Sequence, residues 1–466
     1  MTAEGRKKMH KVNRRTWIVG AFLLVLLAGL LYFLWEYASM AQDRASFSGS
    51  PHIYEAGNLK GGMITDRGGH ILLQYEEGKH YAEDPVTRAS TLHWVGDRPQ
   101  NIRGKILDHY SAKMFDYDPL GGFYSHNQFH EKGQIMLTLS SKVQNTALEA
   151  LNGRKGTVSV YNYKTGELLC AVSSPSFDPD NVPADLMTSS RYEGVYLNRF
   201  TQSTYPPGSI FKTVTAAAAL DTVPEIMEKT FTCTGVYKYG IDQVTCEHAH
   251  GTMTLKTALA SSCNCAFAQI AELIGRENMQ KYVNRFDLTE PVKFDGITTA
   301  KGNYDVSRAA PVELAWSCIG QYTDMVNPAR FLTFMGSIAN GGKGPEPYIV
   351  SRVLSGDRVT YEAKTTMGPR ILEEETALAL QELMHNNVKT IYGVGNFPGF
   401  QKVCAKSGTS ELGGGKKSNA MFAGFVLDEE YPLAFMAVIE NAGYGAANCV
   451  PVVSRVLGAC REIMDS

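Results

Sequence analysis

Net charge is what this sequence most plainly lacks. Its 45 Lys and Arg against 47 Asp and Glu leave a formal charge of −2 over 466 residues. A chain so evenly balanced offers no basic field for nucleic acid, and no such partner is expected. Internal repeats and low-complexity blocks are missing too, which argues against a solenoid or a long disordered tail. Nine cysteines are present, but nowhere at the spacing of a zinc ribbon or finger. Cys263 and Cys265 stand one residue apart and point to opposite sides of any local structure, so no metal site is read there. After residue 36 no stretch is long and apolar enough to span a membrane.

One such stretch is there at the start. Arg6, Lys7, Lys8, Lys11, Arg14 and Arg15 precede "TWIVGAFLLVLLAGLLYFLW", Thr16 to Trp35, which carries no charge. A helix of about 20 apolar residues crosses a hydrocarbon core. Trp17 and Trp35 lie near its ends, where interfacial aromatics belong. Residues 1–15 are therefore read as a basic cytoplasmic tail and 16–36 as a transmembrane anchor. The chain beyond Glu36 would lie outside, by the excess of positive charge on the cytoplasmic side. A cleaved signal peptide is the competing reading, for which "YASMAQ" is a poor cleavage site.

The remainder divides by composition. Residues 37–134 are rich in Gly, His, Tyr and Asp, with short apolar pieces such as "HILLQY", and read as a strand-rich membrane-proximal module. Residues 135–466 read as a second domain. A strand at Ile135–Leu139 and a helix ending at Gly153 open it. Two alternating segments joined by Lys164-Thr165-Gly166-Glu167 form a hairpin. A helix starts at "PPGS" and runs through four alanines to Leu220. Another is read over "LKTALASSCNCAFAQIAELIG", closed by Gly275. "QKVCAKSGTS", "SNAMFAGFVL" and "PLAFMAVIEN" alternate like neighbouring antiparallel strands, with "ELGGGKK" as the first turn. "VPVVSRVLGACREIMD" closes as an amphipathic helix. The fold class is α+β (mixed α/β): an antiparallel sheet built from both ends of the domain, with helices on both sides. Cys233 and Cys246 flank a small hairpin, where they either pair as a disulfide or stay as free thiols.

Three short patterns carry chemistry. Ser209-Ile210-Phe211-Lys212 is the one Ser-x-x-Lys in the chain. The breaker "YPPG" places Ser209 in a first helical turn, where free N–H groups favour negative charge. Residues three apart share a helix face, so the Lys212 amine reaches the Ser209 hydroxyl. A lysine serves as base when burial lowers its pKa. Ser262-Cys263-Asn264 offers a hydroxyl to relay a proton and an amide to hold a carbonyl; as plain structure it would be a helix cap. Ser125-His126-Asn127 is a rival match upstream. Lys406-Ser407-Gly408-Thr409, on an expected strand, supplies a cation, two hydroxyls and close access to the backbone. Lys164-Thr165-Gly166 spells the same type of motif, but at a hairpin turn.

In this order the three patterns are the signature of penicillin-binding proteins and serine β-lactamases. "YNYKTGELLCAVSSPSFDPD", "LNRFTQSTYPPGSIFK", "HGTMTLKTALASSCNCAFAQIA", "IANGG" and "AKSGTSE" resemble the transpeptidase domain of class B penicillin-binding proteins. "GMITDRGGHIL" resembles a motif near the start of their pedestal domain. The chain departs from the family in having Ser407 where threonine is more frequent, and in lacking the His and Trp often found near "SNAMFAGFV".

The resemblance implies a peptidoglycan D,D-transpeptidase, inhibited by β-lactams and needing no cofactor. Catalytic roles fall to Ser209, Lys212, Ser262 and Lys406. Asn264, Ser407, Gly408 and Thr409 would bind substrate. Ser209 and Thr409 N–H groups would form the oxyanion hole. About a hundred residues between anchor and catalytic domain leave no room for a glycosyltransferase domain. A separate glycan polymerase of the SEDS type, and other cell-wall synthesis proteins, are the partners implied. A D,D-carboxypeptidase or β-lactamase of the same fold stays open as an alternative. A β-lactam sensor is disfavoured by the short cytoplasmic tail.

Overall fold

The computed structural model describes residues 2–45, 47, 50–51, 53–55, 58–76, 78–115 and 133–465. Its first element is a helix over Ala3–Ala45. The part long and apolar enough to cross a membrane is Ala3–Ala41, with a mean hydropathy of 2.5 in its most apolar window and none of that window buried. The basic segment before Thr16 is thus helical as well.

A five-stranded antiparallel sheet organises the downstream part of the chain. Its order is Val403–Ser410, Asn419–Val426, Leu433–Ile439, Gly156–Asn162, Leu168–Ser174. Both ends of the domain contribute, as expected. Side chains alternate between two cores. Phe422, Phe435 and Ala437 face one; Met421, Ala423, Met436 and Val438 face the other. All eight residues of Asn419–Val426 are buried, because helices cover both sides. The C-terminal helix Gly445–Met464 packs on the first face and Pro328–Ala339 on the second. The C-terminal helix begins five residues before the expected Val450 and carries Pro451 inside it.

A second sheet of six strands has the order Arg358–Glu362, Val350–Ser355, Gln134–Leu137, Gly62–Thr65, Ile71–Tyr75, Lys79–Tyr81. Gln134–Leu137 pairs with Gly62–Thr65 on one side and Val350–Ser355 on the other. The division expected at residue 134 therefore runs through one continuous sheet. The strand-rich module is completed by chain from far downstream.

The helical reading of "LKTALASSCNCAFAQIAELIG" needs correction. The segment is two helices, Leu255–Ala260 and Asn264–Ile274, separated by a turn at Ser261–Cys263. Ser262 sits there at φ 56°, the left-handed region that a residue with a Cβ seldom adopts. Such strain concentrates at functional sites.

Candidate active site

The site lies where one helix start, one turn and one edge strand meet. Gly208–Phe211 forms a tight helical turn that runs into the α-helix Lys212–Thr222, so Ser209 occupies the first turn as expected. Gly208 is required: its φ is 54°, and a Cβ there would lie 2.7 Å from the Thr409 carbonyl oxygen. Glycine lets the helix start press against the edge strand.

Lys212 is fully buried. Its Nζ lies within hydrogen-bond distance of Ser209 Oγ at 3.0 Å, Ser262 Oγ at 3.1 Å, the Ser262 carbonyl at 2.7 Å and Asn264 Oδ1 at 2.7 Å, four oxygens around an amine with at most three hydrogens. Lys406, equally buried, donates to the same Ser262 Oγ at 3.0 Å and to the Ser407 carbonyl at 2.9 Å. Thus Ser262 Oγ bridges two lysines, and Ser209, Lys212, Ser262, Asn264 and Lys406 form one connected network. Burial pushes Lys212 down from its ordinary 10.5 to about 7, against an opposing Coulombic pull from Cys246, Cys263 and Cys265. Lys406 is driven well below its ordinary range by burial first and by the Lys212 charge second. Two ammonium groups sharing one hydroxyl in a dry site disfavour each other, so burial and mutual repulsion act on Lys406 in the same direction.

Other expected site residues are engaged differently. Asn264 Nδ2 donates to the Thr245 carbonyl at 2.8 Å, so both ends of its amide hold protein groups. The helix cap is Cys263, whose Sγ accepts from the Ala266 N–H. Ser407 turns its hydroxyl to Tyr392 OH, 3.0 Å away, and Thr409 Oγ1 accepts from the Gly445 N–H at 3.2 Å. Gly408 packs against the helix start that carries Ser209, where a Cβ would meet Ile210 Cγ2 and the Pro207 carbonyl at 3.0 Å. Lys164-Thr165-Gly166 is a turn far from this network, and its Lys164 Nζ bonds Asn340 Oδ1 at 2.7 Å. Ser125-His126-Asn127 lies outside the described residues.

Several residues escape sequence reasoning. The strand Val403–Ser410 is an edge, and its outward backbone groups need partners. His385 pairs with the Val403 carbonyl, Asn387 donates to the Ala405 carbonyl, and Tyr392 OH accepts from the Ser407 N–H at 2.8 Å. The helix Glu374–Asn387 and its π-helical extension Val388–Tyr392 therefore cap the edge as far as Ser407. By the two-residue period of a strand, the next N–H facing that way belongs to Thr409. Its carbonyl accepts from Gln321 Nε2 at 3.2 Å. Arg199 Nε and Tyr205 OH each bond Glu440 Oε1 at 2.8 Å, tying the segment before Ser209 to the sheet. No short motif announces these residues; their roles come from the fold.

The cysteines also differ from expectation. All nine are free thiols, so the disulfide alternative for Cys233 and Cys246 is not what the structure contains. Cys263, read as having no partner at zinc-ligand spacing, has Cys246 Sγ 3.7 Å from its own Sγ.

Residues 156–458 match the family model for the penicillin-binding protein transpeptidase domain. The chain belongs to that family. It is 26% identical over 436 residues to peptidoglycan D,D-transpeptidase PbpA of Mycobacterium tuberculosis, covering 86% of each chain. It is 27% identical over 348 residues to stage V sporulation protein D of Bacillus subtilis, across 69% of this chain and 52% of that one. Among solved structures, the penicillin G acyl-enzyme of M. tuberculosis penicillin-binding protein A superposes with a TM-score of 0.74 at 23% identity, covering 86% of this chain and 99% of the other. Penicillin-binding protein PBP2 of Helicobacter pylori, solved in complex with MreC, has the same fold, with a TM-score of 0.62 at 20% identity over 71% of this chain and 64% of that one.

Proposed function

We propose that this penicillin-binding protein is a serine D,D-transpeptidase that cross-links peptidoglycan stem peptides through an acyl-enzyme on Ser209. The observation that carries the reading is the fully buried Lys212, its amine at once on Ser209 Oγ, Ser262 Oγ and Asn264 Oδ1. An amine held near neutrality at about 7 accepts the Ser209 proton as Oγ attacks the carbonyl of the penultimate D-alanine. The oxyanion forms between the Ser209 N–H, in a first helical turn, and the outward Thr409 N–H. The amide C–N bond then breaks. The terminal D-alanine leaves as the amine, protonated through the Ser262 hydroxyl that links Lys212 with Lys406. An acceptor amine from a second stem peptide attacks the Ser209 ester, gives its proton back along the same route and restores the hydroxyl.

In this reading Asn264 exchanges its Thr245 contact for the peptide carbonyl, and Thr409 with Ser407 and Lys406 binds the terminal carboxylate. The family relatives named as D,D-transpeptidases favour cross-linking over hydrolysis. The N-terminal helix serves as membrane anchor, with its basic end cytoplasmic and the catalytic sheet outside. The six-stranded sheet is the pedestal. Together with that helix it meets a SEDS-type polymerase; in support, a structural neighbour with a TM-score of 0.61 at 23% identity comes from a study of polymerization and crosslinking by a peptidoglycan synthase complex.

Fluorescent penicillin labelling tests the nucleophile. Wild type is expected to label rapidly and release slowly, with the adduct mapped by mass spectrometry to Ser209. Ser209→Ala abolishes labelling. Persistent labelling of that variant, or fast turnover of the adduct by wild type, overturns the reading.

A further inference from the structure

Beside the catalytic network lies a cluster that the acyl transfer does not use. Cys233, Cys246, His250 and Cys263 bring one ligand atom each to within 4.8 Å of one another. In sequence they take a C-x12-C-x3-H-x12-C order, unlike the short spacings of common zinc modules. The fold assembles them. Cys233 ends the strand Thr230–Cys233, and its ladder partner Gly251 places the adjoining His250 opposite it. Cys246 comes directly after the hairpin Val236–Tyr239 and Asp242–Thr245. Cys263 is the middle residue of Ser262-Cys263-Asn264 and caps the helix Asn264–Ile274.

We propose that these three thiols and one imidazole form a structural zinc site that clamps the Ser262–Asn264 turn. The separations fit tetrahedral zinc. Bonds of about 2.3 Å to sulfur and about 2.0 Å to nitrogen set S···S near 3.8 Å and S···N near 3.5 Å. Cys246 and Cys263 Sγ are 3.7 Å apart, and Cys233 Sγ lies 3.4 Å from His250 Nδ1. Backbone N–H groups of Cys265 and Ala266 donate to Cys246 and Cys263 Sγ at 3.3 Å each, the support that coordinated thiolates receive from a surrounding protein. Zinc takes the place of the thiol protons, which leave to solvent as the thiolates bind, with no change of oxidation state.

The surroundings give such an ion a task. The two ladders that supply Cys233, Cys246 and His250 are two-stranded, with four residues per strand, and join neither large sheet. Isolated two-stranded ladders are marginal in water. A shared metal fastens both of them to Cys263, and through it holds Ser262 at its left-handed φ of 56°. It also fixes Thr245, whose carbonyl accepts from Asn264.

The full-length chain, purified in detergent under reducing conditions, is assayed for metal by inductively coupled plasma mass spectrometry. About one zinc per chain is expected. After chelation, added cobalt chloride should give the visible bands of a tetrahedral ion and a thiolate-to-cobalt charge-transfer band. Cys233→Ser and His250→Ala each lower zinc retention at least tenfold, while Cys170→Ser, away from the cluster, leaves it unchanged. Fewer than about one ion per ten chains with no cobalt bands overturns the proposal. So does a Cys246–Cys263 disulfide in chain prepared without reductant and with zinc chloride present. Because cobalt binding is read on wild type, misfolding of a variant does not decide the outcome. The metal readings are independent of penicillin labelling: labelling without metal sinks the zinc site alone, and metal without labelling sinks the transpeptidase alone.

Discussion

Lys164-Thr165-Gly166 and Lys406-Ser407-Gly408 spell nearly the same tripeptide in two regions of the molecule. The first closes a hairpin. Its lysine is exposed and reaches across to Asn340. Its glycine has φ 92°, and a Cβ there would lie 2.3 Å from the Glu346 carbonyl oxygen. The second lies along an edge strand. Its lysine is wholly buried on Ser262, and its glycine exists so that the strand can lie against Ile210 and Pro207. The letters are nearly the same, but one lysine keeps its water and the other gives it up. Desolvation separates a surface cation from an amine whose charged form is held well below the ordinary lysine range.

Removing each lysine in turn is the harshest way to break this contrast. Lys406→Ala should slow penicillin acylation by about 10²- to 10⁴-fold, the range for losing a proton-transfer group. Lys164→Ala should leave the rate within about twofold and stability within about 0.5 kcal/mol, as for an exposed side chain with one bond. Second-order acylation rates and thermal unfolding of both variants check this. Equal effects would mean that burial is not what distinguishes the two copies.

The pH profile sharpens the same point on Lys212. In the proposed reaction Lys212 is the base, and a base works only when neutral. With its proton held at about 7 rather than 10.5, it is protonated and idle at lower pH and free above. Acylation should therefore rise about tenfold per pH unit below about pH 7 and level off above it. A rise continuing toward pH 10 would mean an ordinary, solvated lysine. A flat profile across pH 7 would remove Lys212 as the base.

The sequence already contains much of this. The strands in "SNAMFAGFVL" and "PLAFMAVIEN" are legible as nearly continuous apolar runs, because both faces of each are buried. Ser209 and Lys212 are legible because three residues make one local turn. Ser262 and Lys406 come with the order of the motifs. Less legible is whatever depends on chain far apart. Gln134–Leu137 looks like the start of a new domain, yet its partners are Gly62–Thr65 and Val350–Ser355. The Ser261–Cys263 break is hidden in an apolar helical pattern, since a single positive φ leaves periodicity on either side intact. Cys233, Cys246, His250 and Cys263 converge only through two hairpins whose packing no local spacing encodes.

Tyr392 is the smallest and most instructive case. It lies fifteen residues before Ser407, on a π-helical turn that no motif predicts. Its hydroxyl accepts from the Ser407 N–H and meets the Ser407 hydroxyl, and it touches neither lysine. Tyr392→Phe keeps the ring that packs on Phe422 and deletes only the edge-strand bonds. A bond of this kind contributes about 1 kcal/mol, which corresponds to about a fivefold effect. Acylation should slow by about that much while the pH midpoint stays where Lys212 sets it. Hydrogen exchange at the Ser407 amide should speed up as its acceptor is lost. In a double-mutant cycle with Ser407→Ala the effects should be less than additive, because the two hydroxyls act on each other. An unchanged rate would show that the Thr409 N–H holds its place without this brace. A shifted pH midpoint would show that Tyr392 acts on the protons and not on the strand.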